Sequence, residues 1–116
     1  MEIVSEFTER GVQIVSLKGR MSIGDLQEIE TRLKALVSDK PFVIIDLTHL
    51  NFLFSMCLRT LVICAKDAEL RGDRLVLLAP TENILTVLKA SGVSLLVPVY
   101  VHLSQAEEAL CFKPEV

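Results

Sequence analysis

Apolar residues follow two rhythms along this chain: short runs, and longer stretches in which they return every third or fourth position. Ile3 to Phe7 reads as a strand and Val12 to Leu17 as a second, more buried one. Glu9-Arg10-Gly11 between them is a turn, so the chain opens with a hairpin, and Gly19 is expected to end the second strand. Phe42-Val43-Ile44-Ile45 and Leu75-Val76-Leu77-Leu78-Ala79 are continuous apolar runs, the pattern of strands covered on both faces. Leu95 to Val101 holds a last strand, broken or displaced at Pro98, because proline cannot donate to a ladder.

The helical rhythm fills the gaps. Ser22-Ile23-Gly24-Asp25 starts a helix, since a serine with an acid three residues on can satisfy free backbone N–H groups. Leu26, Ile29, Leu33, Leu36 and Val37 then share one face, and Glu28, Glu30, Arg32 and Lys34 the other; Pro41 follows. Asp46 to Asn51 reads as a polar connection. A second helix runs from about Ser55 to Leu70, with Gly72 placed to terminate it. Thr81 caps a third, in which Ile84, Leu85, Val87 and Leu88 face the core and which ends at Ser91-Gly92. Ser104-Gln105-Ala106-Glu107 is a capping box for a short final helix through Leu110.

The order ββαβαβαβα predicts an α/β fold in one domain over 1–116: a mixed, mostly parallel sheet with an N-terminal hairpin and about four helices. Helices should cover the sheet unevenly, because one face of the opening strand pair carries alternating polar residues.

Composition narrows the function classes. With 51% hydrophobic residues and a mean hydropathy of +0.48 the chain is core-rich, which argues against disorder. It is also apolar for a small soluble protein: either some apolar surface is buried against a partner, or a tight core absorbs it all. A net charge of -3 and no local basic patch argue against direct nucleic-acid binding. The N-terminus lacks a basic segment followed by an apolar one, and no apolar run approaches the ~20 residues of a membrane span; Val93 to Val101 is interrupted by Ser94 and Pro98. No membrane insertion and a cytoplasmic location are expected.

Cys57, Cys64 and Cys111 form no CxxC and no Cys/His cluster, so they read as free buried thiols; Cys57 and Cys64, on one helix, are expected to point into the core together. His49 and His102 read as solvated loop histidines, and Arg71, Asp73 and Arg74 as a solvent-facing charged turn. Neither GxxxxGK[ST] nor GxGxxG occurs. With no nucleophile–base pair and no metal-ligand set, no catalytic residue, metal or cofactor is expected.

Val43-Ile44-Ile45-Asp46-Leu47-Thr48-His49-Leu50-Asn51-Phe52 resembles the strand and D-L-S-x-V-x-F-like stretch of STAS domains, the sulfate-transporter and anti-sigma-antagonist family. Phe54-Ser55-Met56-Cys57-Leu58 stands in the place of that family's D-S-S-G-L signature. Leu70 to Leu77, Val87 to Val93 and Ser104 to Leu110 are similar to its later helix ends, glycine turns and closing helix, so the resemblance covers nearly the whole chain. It implies a STAS-like domain and an anti-sigma factor antagonist type of function. Such a protein binds an anti-sigma factor that is also a serine kinase, in a partner-switching pathway controlling transcription. Asp46 matches a position that holds its loop by hydrogen bonding.

The resemblance places the phosphoacceptor at Ser55, at a helix N-terminus where free N–H groups favour a phosphate; the plain alternative is that Ser55 only caps the helix. Departures from the family pattern cluster there. Phe54 replaces an acid, Met56 a serine, Cys57 a glycine, and Ser22 the acid of the G-x-L-D segment. Met21, Ile23, Phe54 and Met56 are expected to gather into an apolar patch. With Ser22, Ser55 and Arg59 it forms either a partner-binding surface or a patch covered by another part of the chain. The alternative function is a non-phosphorylated scaffold or oligomerisation subunit of a larger assembly, a stressosome or a lipid-transport complex, and a homodimer is among the forms open to the chain.

Overall fold

The computed structural model describes residues 2–38 and 40–111, the side chain of Cys111 excepted. Six strands and five helices follow in the order β1 (Glu2–Phe7), β2 (Gln13–Met21), α1 (Leu26–Val37), β3 (Phe42–Asp46), β4 (Leu50–Leu53), α2 (Ser55–Leu70), β5 (Arg74–Leu78), α3 (Glu82–Ala90), α4 (Val93–Leu96), β6 (Val99–Tyr100) and α5 (Leu103–Cys111). A 3-10 turn at Ile23–Asp25 leads into α1.

The sheet runs β1-β2-β3-β5-β6, with β4 added to the far end of β2. Only β1 and β2 pair antiparallel; the rest is parallel, with the helices supplying the crossovers that parallel pairing needs. Alternate residues of each strand serve opposite faces. Val15, Leu17, Val43, Ile45, Leu75 and Leu77 pack into the larger core under α1, α2 and α3, against Ile29, Leu33, Leu61, Ile84 and Leu88. Ile14, Ile44, Val76 and Leu78 turn the other way into a smaller cluster, where among the described helices α5 covers them through Ala106 and Leu110. Glu2, Val4 and Glu6 of β1 lie exposed opposite Lys18, Ser16 and Ile14, which is the uneven cover the polar alternation predicted.

Several expected boundaries move. Gly19 does not end β2. It adopts φ +89, the pairing register shifts between Gly19 and Arg20, and the strand continues to Met21, so the glycine makes a bulge. The supposed connection before α2 contains β4, paired with that extension of β2. Its burial sequence, inward at Leu50 and Leu53 and outward between them, hides the period of two. Leu95 and Leu96 belong to the short helix α4, leaving β6 only two residues after Pro98. Helix α5 begins at Leu103, so Ser104 lies inside its first turn.

The charged turn after α2 is structural. The Arg71 guanidinium pairs with Asp73 at 3.1 Å and reaches the Val37 carbonyl at the end of α1 at 3.4 Å, while Arg74 donates to the Ala109 carbonyl of α5 at 2.8 Å.

Candidate functional site

The site is assembled where the end of β2, the end of β4 and the start of α2 converge. Met21 pairs with Leu53, and the Phe54 N–H donates to the Met21 carbonyl at 2.7 Å. This bond delivers the chain from β4 straight into α2 and sets the Ser22–Asp25 turn beside the first turn of that helix.

Phe54, not Ser55, is the residue that flanks the helix. Its backbone is extended (φ -66, ψ 137) and its carbonyl accepts the first N–H of the helix, from Cys57, at 2.8 Å. A phenyl ring offers no oxygen, so no side chain caps α2, and no acid stands in its first turn. Ser55 is the first helical residue. Its side chain is exposed, and it makes no side-chain hydrogen bond among the described residues. The cap reading of Ser55 is thereby replaced: the hydroxyl is free, at the positive end of a long helix.

The structure divides the expected patch. Ile23 is 67% exposed and Met56 46% exposed, and Ser55 and Arg59 also face solvent. Phe54 is half-buried and packs on the larger core. Met21 is fully buried in that core, which corrects its assignment to the partner surface. The cause is β4: because β2 runs on past its bulge to pair with β4, Met21 becomes an inward strand residue, the floor of the site.

Ser22, half-buried, holds an acid in place. Its N–H and its hydroxyl both donate to the Asp25 carboxylate, at 3.1 and 2.8 Å. The backbone bond first, and the hydroxyl bond second, keep the Asp25 carboxyl below the ordinary aspartate range. The neighbourhood therefore keeps one ionised carboxylate, supplied three residues after the position where the family carries an acid. Its charge reaches α2. The Cys57 thiol is pushed up mainly by burial, with Asp25 and then Glu30 adding to the shift.

Two residues of this surface escaped the sequence reading. Arg20 and Phe52 are cross-strand partners on β2 and β4, both exposed, with the guanidinium carbon 4.5 Å from the ring centroid. The usable signal was an aromatic set between Leu50 and Leu53 directly before a helix, a minimal strand in a segment otherwise polar.

Other expectations find their places. The Asp46 carboxylate accepts from both the N–H and the hydroxyl of Thr48, which fixes the turn after β3. Cys57 and Cys64 are buried, and burial raises the Cys64 thiol to about 11, too high for ready thiolate chemistry. His49 and His102 are exposed. Among the described residues no group of three His, Cys, Asp or Glu side chains could hold a metal ion, and no helix is long and apolar enough to cross a membrane.

Comparison with known proteins agrees with this architecture. An anti-sigma factor antagonist from Mycobacterium paratuberculosis superposes with a TM-score of 0.84 at 24% identity, over 94% of this chain and 92% of that one. The anti-sigma factor antagonist SpoIIAA in its unphosphorylated form matches with a TM-score of 0.77 at 16% identity, over 98% of this chain and 100% of that one. The phosphorylated form of SpoIIAA, a Bacillus cell fate determinant, gives 0.68 at 16% identity, over 93% and 98%. At such identities the likeness establishes the fold. The STAS domain model matches residues 6–106, nearly all of the six-stranded unit described above, and the chain belongs to the STAS domain family.

Proposed function

We propose that this protein is an anti-sigma factor antagonist-type regulator, which acts by binding an anti-sigma factor of the serine-kinase kind and carries out no catalysis itself. The observation that carries the reading is Ser55: an exposed hydroxyl at the first position of an uncapped helix, with exposed Met56 and Arg59 on the same helix and exposed Ile23 in the turn after β2. In the unmodified protein this mixed apolar and cationic surface docks the partner. Phosphorylation of Ser55 adds about -1.5 to -2 charges at neutral pH. The free N–H groups and positive end of α2 favour that phosphate, and it would sit close to the ionised Asp25. A dianion in the middle of an apolar contact then ends the docking. The names of the structural relatives, among them one protein solved in phosphorylated and unphosphorylated forms, support the class of function.

The test is the intact mass of the protein purified from its own cells, wild type beside Ser55→Ala. A phosphate-sized increment present in the first and absent from the second is expected. The same increment in both would move the acceptor elsewhere. No increment under growth or stress, with a stable oligomer on gel filtration, would replace the switch by a permanent scaffold.

A further inference from the structure

The last strand leaves half of its neighbour uncovered. All five residues of β5 pair with β3 on one side, whereas β6 pairs with β5 only at Leu77 and Leu78. The hydrogen bonds show which main-chain groups face which way. Arg74 donates to Pro41, and Leu78 accepts from Leu47, on the β3 side; Leu77 and Ala79 donate to Pro98 and Tyr100 on the β6 side. By the two-residue period of a strand, the N–H and C=O of Leu75 face the β6 edge as well. No strand of the described residues reaches them, and Leu75 keeps only 5% of its surface.

Leu75 and Val76 floor a cleft of about 400 Å³, walled by Ala65 and Leu96 on one face of the sheet and by Ala109 and Leu110 on the other. The gap therefore lies in the plane of the sheet, between helices. Main-chain donors and acceptors that are nearly buried and unmatched cost about 1–3 kcal/mol each, and those of Leu75 find no strand among the described residues, so the cleft favours an occupant that brings its own. An extended polypeptide does this, and a compact apolar ligand does not. Arg74–Val76 spans about 10 Å at about 3.3 Å per residue, room for three or four extended residues. At the rim Asp73 is already paired with Arg71, and the Arg74 guanidinium is held against α5 by its bond to the Ala109 carbonyl, while Glu69 has no ion pair among the described residues. Beside Leu96, Leu95 is 89% exposed.

We propose that this cleft is a strand-acceptor slot, in which an extended segment of a partner protein adds to Arg74–Val76, with small apolar side chains turned toward α5 and a basic side chain toward Glu69. Recognition of this kind draws affinity from main-chain bonds and specificity from alternate side chains. It is independent of Ser55 and offers the domain a second point of attachment.

Amide hydrogen exchange read by NMR tests it in two steps on the full chain. In the free protein the Leu75 amide should exchange at least about tenfold faster than those of Leu77 and Ala79. Protection of Leu75 equal to theirs would mean that the edge is already paired, and would overturn the proposal. The probe is then the capped peptide Val-Lys-Val-Lys-Val. It should shift the Arg74, Leu75 and Val76 amides and slow Leu75 exchange by about tenfold or more. Ser55→Ala should bind it equally, and Ala109→Phe, which fills the slot, should not. The peptide N-methylated at its central valine loses one main-chain donor and should bind at least about tenfold more weakly. Equal binding of the methylated peptide, shifts centred on Ile23 and Met56, or no shift at millimolar peptide would each overturn the slot.

Discussion

The two ends of α2 are built on opposite principles. At its C-terminal end the carbonyls of Asp67, Ala68 and Glu69 all find donors. The Arg71 N–H donates to the Asp67 and Ala68 carbonyls, Gly72 to Glu69, and Asp73 to Ala68 at 2.8 Å; the Arg71 side chain then ties this end to Asp73 and to α1. At its N-terminal end no side chain caps the helix, no acid stands in its first turn, and the residues around it are a free serine, an exposed methionine and an exposed isoleucine. One helix thus carries a closed end that anchors the fold and an open end whose polar groups no side chain satisfies.

That contrast rests first on what lies under the open end. If Met21 is its buried floor, Met21→Ala should destabilise the protein by about 2–5 kcal/mol in urea unfolding, while Met56→Ala, a few residues away at the surface, should stay within about 0.5 kcal/mol. Equal, small effects would return Met21 to the surface and erase the distinction. The closed end comes next. Gly72 sits at φ +82 with nothing within 4 Å of where a Cβ would be, so the penalty of Gly72→Ala is backbone strain alone, about 1–2 kcal/mol.

The open end should respond in the other direction. Ser55→Asp puts a negative charge in a first turn that holds no acid, and is expected to stabilise the fold by about 0.3–1 kcal/mol at low ionic strength, at the lower end because Asp25 is already ionised nearby, and less in salt. The same change should weaken partner binding, because it imitates part of the phosphate charge. Loss of stability in low salt would show that the helix end is already satisfied.

The smallest effect is a pH dependence. Hydrogen bonds from Ser22 hold the Asp25 pKa in the folded protein below its ordinary value of 3.8. A carboxyl whose folded pKa is lowered contributes stability above the unfolded value, and that contribution fades as pH falls through the folded one. The stability difference between wild type and Asp25→Asn should therefore be larger at pH 6 than at pH 3. A difference independent of pH would mean that Ser22 does not grip the ionised form.

Much of this architecture was legible in residue order. The hairpin, β3, β5 and helices α1 to α3 announce themselves because each repeats its period often enough to be counted, and the STAS-like pattern around Asp46 and Ser55 followed the same elements. What was not legible involves short or broken periods. Strand β4 has four residues and buries only its ends, so it shows no alternation. Gly19 looks like a terminator because a bulge glycine and a strand-ending glycine are the same residue; only the partner strand distinguishes them. Helix α2 starts at Ser55, as its pattern predicted, but the flanking residue is Phe54 and not Ser55, and that single step frees the hydroxyl on which the functional reading depends.

By itself, then, the sequence determined the kinds of element, their order and most of the residues that face inward, since helix and strand periods are set by local backbone geometry. It did not determine which residues surround Ser55, nor that the edge of β5 is open. Those were decided when distant segments met. The Gly19 N–H bonds the His49 carbonyl, β4 joins β2 and sinks Met21, and β6 stops two residues into its pairing with β5. The physical reason is that a hydrogen-bond ladder joins residues by register and not by nearness in the chain, so its ends become visible only in three dimensions.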